Sequence, residues 1–298
     1  MIAIEKLCYV RLGVADLRKT ADFATRIIGL EPVESADDTA MFRSDYRDHT
    51  LVLYQSDVPE QTVAIEVRSE ETLDTGVLRL REAGYAVTAG DAALCKTRRV
   101  KALASFRIRE GATIELVVRP LHSGWRYFPS RDAGITEFFG VAFASTDVTA
   151  DVRLWTSIFN GKVADYVGDA VYISIDEEHH RIAVHPSVSD RLLEVQFRLE
   201  GMHELMQNSY FLQSAQVVIA HGPGRRPTSQ QAFISFKGPD PILFGFVADG
   251  DKLPPDEHRL PRQFPRDPGS FCSWGSLSHE PEFCGELSRI RHQEMSTS

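Results

Sequence analysis

The fold is indicated by two similar stretches of the chain, Tyr9-Val-Arg-Leu-Gly-Val-Ala-Asp16 and Gly140-Val-Ala-Phe-Ala-Ser-Thr-Asp147. The offset between the two aspartates, from 16 to 147, is 131 residues, and the glycines that follow at positions 29 and 161 are 132 residues apart. Similarity at a nearly constant offset indicates that one structural unit occurs more than once. We therefore predict an internally duplicated fold.

Each stretch begins the same order of predicted elements. Residues 9–14 alternate between two faces, as expected for a strand with one face towards a core. The aspartate that ends each stretch predicts a helix N-cap, because its carboxylate accepts the free N–H groups of the first turn. Apolar residues then recur at helical spacing over 17–28 and 148–159. The glycine after each helix, Gly29 or Gly161, predicts a C-cap with positive φ.

A second unit follows each of these. In the first half it comprises a strand at 63–67, a helix at 71–83 and strands at 105–108 and 113–118. The matching pieces of the second half are 194–199, 201–214, 231–236 and 242–247. The predicted fold class is α+β, with four βαβββ modules near 1–58, 59–120, 134–188 and 189–250. We expect paired-module domains at 1–120 and 134–250, a linker at 121–133, and a tail at 251–298 that packs against the body or a partner subunit.

The composition argues against several functional classes. The net charge of −9 disfavours nucleic-acid binding, which needs a basic surface. None of the four cysteines forms a CxxC pair, so neither a zinc ribbon nor a redox pair is predicted. From the first residues we expect no signal peptide, and the sequence has no apolar run of about 20 residues that would span a membrane. We expect a cytoplasmic protein with reduced cysteines and no membrane partner.

Four motifs together carry a family resemblance. They are the first stretch quoted above, Asp176-Glu-Glu-His-His-Arg-Ile-Ala183, His221-Gly-Pro-Gly-Arg-Arg-Pro-Thr-Ser229 and the tail motif Phe271-Cys-Ser-Trp-Gly275. Over nearly its whole length the chain resembles type I extradiol dioxygenases, which cleave catechols and 2,3-dihydroxybiphenyl and belong to the vicinal-oxygen-chelate (glyoxalase/bleomycin-resistance/dioxygenase) superfamily. The resemblance implies a structural N-terminal domain, an active-site-like pocket in the C-terminal domain, a small aromatic or ring-derived ligand and a homo-oligomer.

The resemblance also implies a metal site that this chain does not match. The family holds Fe(II), sometimes Mn(II), with two histidines and a carboxylate, which leaves open positions for catechol and O₂. The corresponding positions are Gly140, Glu194 and Gly245. Glycine has no donor side chain, so no metal and no other cofactor is expected. The equivalent positions in the first half, Tyr9, Thr62 and Glu115, also predict no metal site, and Glu115 is expected to be solvated or ion-paired.

One functional residue of the family is retained, and two others are replaced. His180 matches the acid–base histidine, whereas Arg226 and Ser235 stand where the family has a histidine and a substrate-binding tyrosine. We predict His180 as an acid–base group, because its ordinary pKa lies near neutral pH. Glu194 is predicted to act as a second base or to orient His180, with its pKa raised by burial. Arg226 is predicted to bind a substrate carboxylate or enolate.

The predicted pocket lies inside the curved second sheet and is enlarged by the two glycines. Its predicted substrate-binding residues are Phe143, Tyr172, Phe197, Phe233, Ser235 and Phe246. Two further histidines, His179 and His185, are expected at the surface or the rim. A metal site made of Glu194, His180 and His221 is left open, because sequence cannot place them together.

Three functions remain compatible with these residues. The first is a metal-independent enzyme of aromatic-compound metabolism that performs acid–base chemistry on a catechol-derived or ring-fission substrate. The second is a non-catalytic binding protein or an inactive partner subunit of an intact homologue. The third is a working Fe(II) extradiol dioxygenase with relocated ligands, in which case Fe(II) would be bound.

Overall fold

Two β-sheets, one from each half of the chain, form the framework of the protein. The computed structural model describes residues 1–253 and 259–284. The elements of the first half are β1 Ile4–Val14, α1 Leu17–Phe23 with a π-helical continuation Ala24–Ile28, β2 Glu31–Ser35, β3 Thr39–Arg43, β4 Leu51–Gln55, β5 Gln61–Val67, α2 Glu70–Glu82, β6 Thr88–Ala89, α3 Ala92–Arg98, β7 Ala102–Arg107 and β8 Thr113–Val118.

The second half repeats this order and continues into a tail. Its elements are β9 Ile135–Ser145, α4 Val148–Arg153 with a π-helical continuation Leu154–Ile158, β10 Lys162–Val167, β11 Ala170–Ser174, β12 Ile182–Pro186, β13 Arg191–Leu199, α5 Met202–Ser214, β14 Ile219–Arg225, β15 Ala232–Lys237 and β16 Leu243–Ala248. The tail contributes β17 Arg262–Phe264, α6 Pro268–Phe271 and α7 Pro281–Cys284.

The predicted α+β fold of four βαβββ modules is confirmed. The first sheet has the strand order β2-β3-β4-β1-β5-β8-β7-β6, and the second has the order β14-β15-β16-β13-β9-β12-β11-β10-β17. In each sheet the first strands of the two modules pair antiparallel, β1 with β5 and β9 with β13. The second module also contains α3, which the sequence pattern did not predict.

The two predicted aspartate caps are present, and one of the two predicted glycine caps is not. Asp16 and Asp147 each accept a hydrogen bond from the backbone N–H three residues later, at 3.0 and 2.9 Å. Gly29 closes the first helical segment with φ +97°. The second segment ends in extended backbone at residue 159 instead. Gly161 is required for a different reason, because a Cβ there would lie 2.7 Å from the carbonyl oxygen of Trp155.

The helices pack against one face of the sheets, where the main apolar core lies. Leu80 of α2 and Leu205 of α5 are buried in this core together with alternate residues of the strands. On β13, Val195 and Phe197 point into it, so period two turns Glu194 towards the opposite face. None of the helices within residues 1–253 and 259–284 is long and apolar enough to cross a membrane.

The described part of the tail lies on that opposite face of the second sheet. Strand β17 extends the sheet by pairing parallel with β10. Phe271 of α6 and Phe283 of α7 are buried in a smaller apolar cluster that includes Tyr172 and Leu243 from the sheet. The second sheet is therefore covered on both faces, by helices on one and by the tail on the other.

Candidate functional site

The candidate site lies on the tail-covered face of the second sheet, where the three family ligand positions converge. Gln196 on β13 is the cross-strand neighbour of Gly140 on β9 and of Gly245 on β16. Glu194, two residues earlier, points to the same face, and its Oε1 lies 2.6 Å from the place that a Cβ at Gly245 would take. The structure thus brings the three predicted positions together.

The two glycines do not enlarge a pocket, so that prediction is wrong. A Cβ at Gly140 would lie 2.7 Å from the carbonyl oxygen of Arg181 and 3.3 Å from Oε1 of Gln196. A Cβ at Gly245 would meet the side chains of Glu194 and Gln196. These two longer side chains take the space that the glycines leave. Sequence reasoning missed Gln196, although the period of two along a strand places it on the face of Glu194.

We expect Gly140→Ala to destabilise the protein by about 1–3 kcal/mol, because the neighbouring atom at 2.7 Å belongs to the backbone and cannot move aside freely. Gly124→Ala is the matched control, since a Cβ there has no neighbour within 4 Å among the described residues. Urea denaturation of both variants measures the difference. Equal unfolding free energies for the two would show that the close approach at Gly140 is absent.

The side chains at these positions do not fit an iron centre held by two histidines and a carboxylate. Gly140 and Gly245 have no donor, which leaves Glu194 alone. Across residues 1–253 and 259–284, no three His, Cys, Asp or Glu side chains are arranged to hold a metal ion. His221, the open alternative, has its Nε2 3.2 Å from a backbone carbonyl oxygen, that of Ser276.

Glu194 is buried with only part of its hydrogen-bonding capacity used. It is 1% exposed, and its Oε2 accepts a hydrogen bond of 2.6 Å from Nε2 of Gln196. Its Oε1 has no hydrogen-bond partner within the described part of the chain. Burial raises the pKa of the Glu194 carboxyl, and the charge of Arg226 and the hydrogen bond from Gln196 oppose this shift. The raised pKa agrees with the sequence prediction.

His180 is the last member of a chain of polar groups that starts at Asp165. The Asp165 carboxylate lies 2.9 Å from Nε2 of His179, and Nδ1 of His179 lies 3.1 Å from Nδ1 of His180. An ionised carboxylate can only accept a hydrogen bond, so the Nε2 atom of His179 carries the proton that points to Asp165. When His179 is neutral, its Nδ1 has no proton and accepts a hydrogen bond from Nδ1 of His180. His180 then holds its own proton on Nδ1, and its Nε2 presents a lone pair. With His179 neutral, Asp165 therefore fixes the tautomer of His180 through His179.

The protonation state of His180 follows from its surroundings. Burial, the neighbouring ring of His179 and the charge of Arg226 all lower its pKa well below the ordinary value. The ring is therefore neutral at pH 7. Its Nε2 has no hydrogen-bond partner among the residues that the structure describes.

Arg226 packs against two aromatic rings and acts electrostatically on both the carboxylate and the histidine of the site. Its guanidinium carbon is 4.4 Å from the ring centre of Phe233 and 5.9 Å from that of Tyr172. Its charge acts to lower the pKa of both His180 and Glu194. The Tyr172 ring in turn contacts His180, with ring centres 4.8 Å apart. The structure thus brings His180 and Glu194, the other two predicted catalytic side chains, under the influence of the Arg226 charge.

The predicted substrate-binding residues divide between the two faces of the sheet. Tyr172, Phe233 and Ser235 lie on the site face. The other three, Phe143, Phe197 and Phe246, are buried in the main core on the helix side, so their predicted place in the pocket is wrong. Period two along β9, β13 and β16 turns them away from Gly140, Glu194 and Gly245.

The prediction that His179 and His185 lie at the surface is also wrong. His179 is 2% exposed and His185 is 1% exposed. The Nδ1 atom of His185 lies 3.2 Å from the carbonyl oxygen of Glu282 in α7, and its ring contacts Phe283. These partners come from the tail, which therefore covers His185, and the backbone N–H of His179 donates to the carbonyl oxygen of Asp251 at 3.1 Å.

Two arginines of the tail form ion pairs with Asp165, the carboxylate that contacts His179. Asp165 is fully buried and forms ion pairs of 2.7 Å with both Arg259 and Arg262. These two guanidinium groups and the hydrogen bond from His179 lower the pKa of the Asp165 carboxyl against the effect of burial. The carboxylate that orients the histidines therefore also holds the tail.

The site is enclosed and contains several polar atoms without partners. Tyr172, His180, Glu194, Arg226 and Ser235 are each at most 4% exposed. Buried side-chain atoms without a hydrogen-bond partner in the described structure include Nε2 of His180, Oε1 of Glu194, Nε of Arg226, Oγ1 of Thr228 and Oε1 of Gln231. Buried polar atoms of this kind are normally satisfied by protein, water or a bound molecule. A small polar ligand would meet a base, an acid and a cation here.

The equivalent face of the first sheet is different in chemistry. From the sequence, Glu115 is expected to be either solvated or ion-paired. It is 3% exposed, so it is not solvated, and it is ion-paired. Arg98 donates to its Oε1 at 3.0 Å, and the hydroxyl of Tyr9 donates to its Oε2 at 2.6 Å. Thr62 on β5 and Glu115 line one cavity on this face.

Comparison with known proteins supports a relation to ring-cleaving dioxygenases. Residues 6–116 match the model of the Glyoxalase/Bleomycin resistance protein/Dioxygenase superfamily. The biphenyl-2,3-diol 1,2-dioxygenase of Pseudomonas sp. strain KKS102 is 31% identical over 120 residues, which are 40% of this chain and 41% of that enzyme. The 3-methylcatechol 2,3-dioxygenase of Pseudomonas putida is 26% identical over 82% of this chain and 88% of the enzyme.

Solved structures show that the whole fold is shared. The Mn(II)-bound glyoxalase of Novosphingobium aromaticivorans superimposes with a TM-score of 0.85 at 20% identity and covers 95% of this chain and 94% of its own. A halotolerant catechol dioxygenase gives a TM-score of 0.83 at 14% identity, with 96% and 99% coverage. The chain is therefore similar to biphenyl-2,3-diol and 3-methylcatechol dioxygenases, spans about two fifths of the length of the first of these relatives, and contains a match to the Glyoxalase/Bleomycin resistance protein/Dioxygenase superfamily over residues 6–116.

Proposed function

We propose that the protein performs metal-independent proton transfer on a small catechol-derived or ring-fission molecule. One observation carries the proposal. Nε2 of His180, Oε1 of Glu194 and Nε of Arg226 are buried on one face of the second sheet and have no hydrogen-bond partner in the described residues. Substrate oxygen and carbon atoms would supply the missing partners. The ring-derived substrate class is suggested by the relatives, whose names specify biphenyl-2,3-diol and 3-methylcatechol.

The opposite pKa shifts of His180 and Glu194 support an acid–base pair. A lowered pKa keeps the His180 ring unprotonated, and a raised pKa favours the protonated form of the Glu194 carboxyl. Two groups whose environments move their pKa values apart are suited to complementary roles. Nε2 of His180 would take a proton from carbon or hydroxyl, Arg226 would stabilise the enolate, and Glu194 would return a proton elsewhere on the molecule. The net reaction is an isomerisation without oxidation or reduction.

A second candidate is a non-catalytic binding protein or partner subunit. The observation that favours it is the closure of the site, since Phe271 and Phe283 of the tail cover a face whose polar side chains are at most 4% exposed. Catalysis requires that this part of the tail moves to admit substrate. Binding to an intact homologue does not require this movement of the tail.

The test uses the full chain, treated with a chelator, and a panel of catechols and their ring-fission products in D₂O. We expect NMR to show incorporation of deuterium into, or isomerisation of, at least one ring-fission product, and no consumption of O₂ with any catechol. The same rate before and after chelation supports metal independence. Turnover restored only by Fe(II), with oxygen uptake, would establish the relocated-ligand dioxygenase instead.

The non-catalytic alternative is separated by the same panel. Absence of turnover for every compound, combined with tight association with an intact homologue, would refute the enzyme proposal.

We propose at the same time that residues 134–250 form the active-site domain, that residues 1–120 are structural for this reaction, and that the protein acts as a cytoplasmic homo-oligomer. Sedimentation velocity of the full chain tests the oligomer.

A further inference from the structure

A second polar cavity lies on the other sheet, away from the site described above. It has a volume of about 480 Å³ and occupies the face of the first sheet that bears Thr62 and Glu115. Its wall is completed from the second half by Asp190, Arg191 and Pro241. This size is within the range of small-molecule sites.

Two arginines and one carboxylate interact with one another in the wall of this cavity, whose lining contains four arginines and four carboxylates in all. Arg11 and Arg98 both line it, and their charges act on each other, since Arg98 is one cause of the lowered pKa of Arg11. Glu115 is the carboxylate beside them, but its oxygens are engaged by Arg98 and by the hydroxyl of Tyr9. No carboxylate of the described chain forms an ion pair with Arg11, whose guanidinium carbon lies 5.0 Å from the ring centre of Tyr54.

Of the other charged groups of the cavity, Glu110 is exposed, and the rest have partners of their own. Asp190 pairs at 2.6 Å with an arginine that is not part of the wall, and Arg191 pairs at 3.0 Å with a glutamate of α7. Glu60 accepts a hydrogen bond of 2.9 Å from the hydroxyl of Tyr54. Arg107 donates to backbone carbonyl oxygens at 3.0 and 3.1 Å. Arg11 is therefore the group best placed to bind an incoming anion.

We propose that this cavity binds a small aromatic carboxylate through Arg11. A guanidinium matches a carboxylate with two parallel hydrogen bonds, and the hydroxyl of Thr62 offers a further donor. A monoanion suits the single unpaired charge, whereas Glu60, Glu115 and Asp190 would repel a dianion such as phosphate. Apolar wall residues leave room for a ring beyond the carboxylate, and these are Val58, Pro59, Leu94 and Pro241. The proposal is independent of the proton-transfer site.

Calorimetric titration of the full chain with sodium benzoate tests this site, with inorganic phosphate as the competing anion. We expect saturable binding of benzoate, weaker binding of phosphate, and at least a tenfold loss of benzoate affinity in Arg11→Met. Arg18→Met, which removes an exposed arginine outside the cavity, is the matched control and should bind as the unmodified protein does. Arg226→Met should also retain binding, because Arg226 follows β14 of the second sheet and does not line this cavity.

Several results would overturn the proposal. These are no saturable benzoate binding by the folded protein, phosphate binding as tight as benzoate binding, or equal benzoate affinity in Arg11→Met. Loss of binding in Arg226→Met alone would assign the benzoate to the other sheet and also overturn it. Near-UV circular dichroism confirms that Arg11→Met is folded, and Arg11→Gln replaces it if it is not.

Discussion

The variant His180→Gln is expected to lose proton-transfer activity by roughly 10²–10⁴-fold, the usual contribution of a positioned acid–base group. Glutamine retains an amide that can hydrogen-bond to His179, but it has no basic nitrogen that takes up a proton near neutral pH. The measurement is the rate of deuterium incorporation into the ring-fission product that the unmodified protein turns over. Because the substrate contacts stay in place, most of the loss should appear in kcat.

The control for this variant is His203→Gln, which removes an exposed histidine of α5. It should leave the rate unchanged. Full activity in His180→Gln would eliminate His180 as the base, and loss of activity in both variants would point to a general effect of histidine removal on the fold.

The pH dependence of the reaction gives an independent check on His180. A base works only when unprotonated, so the rate falls once the pH drops below its pKa. Burial lowers the pKa of His180 well below the ordinary value of about 6.5. We therefore expect kcat/KM to stay constant as the pH falls from about 7.5 through 6.5, where a solvated histidine would already lose activity. A decline centred near the ordinary histidine pKa would contradict the buried position of the base.

The elements were predictable because their signals are local. Asp16 and Asp147 cap helices through groups only three residues away. Period two along β13 explains why Glu194 reaches the site, and the same rule would have excluded Phe197 from it. An aromatic residue type does not by itself indicate the face of a strand on which the side chain lies, and Phe197 is on the core face.

The enclosure of the site was not predictable, because it depends on contacts between distant parts of the chain. His179 and His185 look like surface residues in sequence, yet they are buried against Asp165 and the α7 backbone. The interval from His185 to Glu282 is 97 residues. No periodic pattern links them, and the tail offers only scattered aromatic residues as a signal.

Asp165→Asn is expected to lower the free energy of unfolding by about 3–5 kcal/mol, since removing one member of a buried ion pair leaves its partners uncompensated. Asp165 is fully buried and holds Arg259, Arg262 and His179 together. Exposure of the two guanidinium groups to water will place the effect towards the lower end of this range. Urea denaturation provides the measurement.

Asp169→Asn is the matched control, because this exposed aspartate also pairs with a tail arginine, Arg266, at 3.4 Å. Pairs of this kind contribute about 0–1 kcal/mol, so its unfolding free energy should be almost unchanged. Equal and small losses of unfolding free energy in Asp165→Asn and Asp169→Asn would show that the ion pairs of Asp165 do not hold the tail in place.

The acid sensitivity of the protein should change with Asp165 in a direction that its pKa sets. The folded-state pKa of the carboxyl is lowered by its two arginines and His179, so its stabilising effect is fully present above the unfolded-state pKa of about 3.9. That effect is lost as the pH falls below this value towards the folded-state pKa. Asp165→Asn should therefore show a shallower loss of stability in acid than the unmodified protein.

Because the same carboxylate orients His179, and through it His180, the variant should also change the ¹⁵N shifts of the His180 ring. If Asp165→Asn is destabilised but the His180 shifts are unaltered, Asp165 holds the tail in place and does not orient His180.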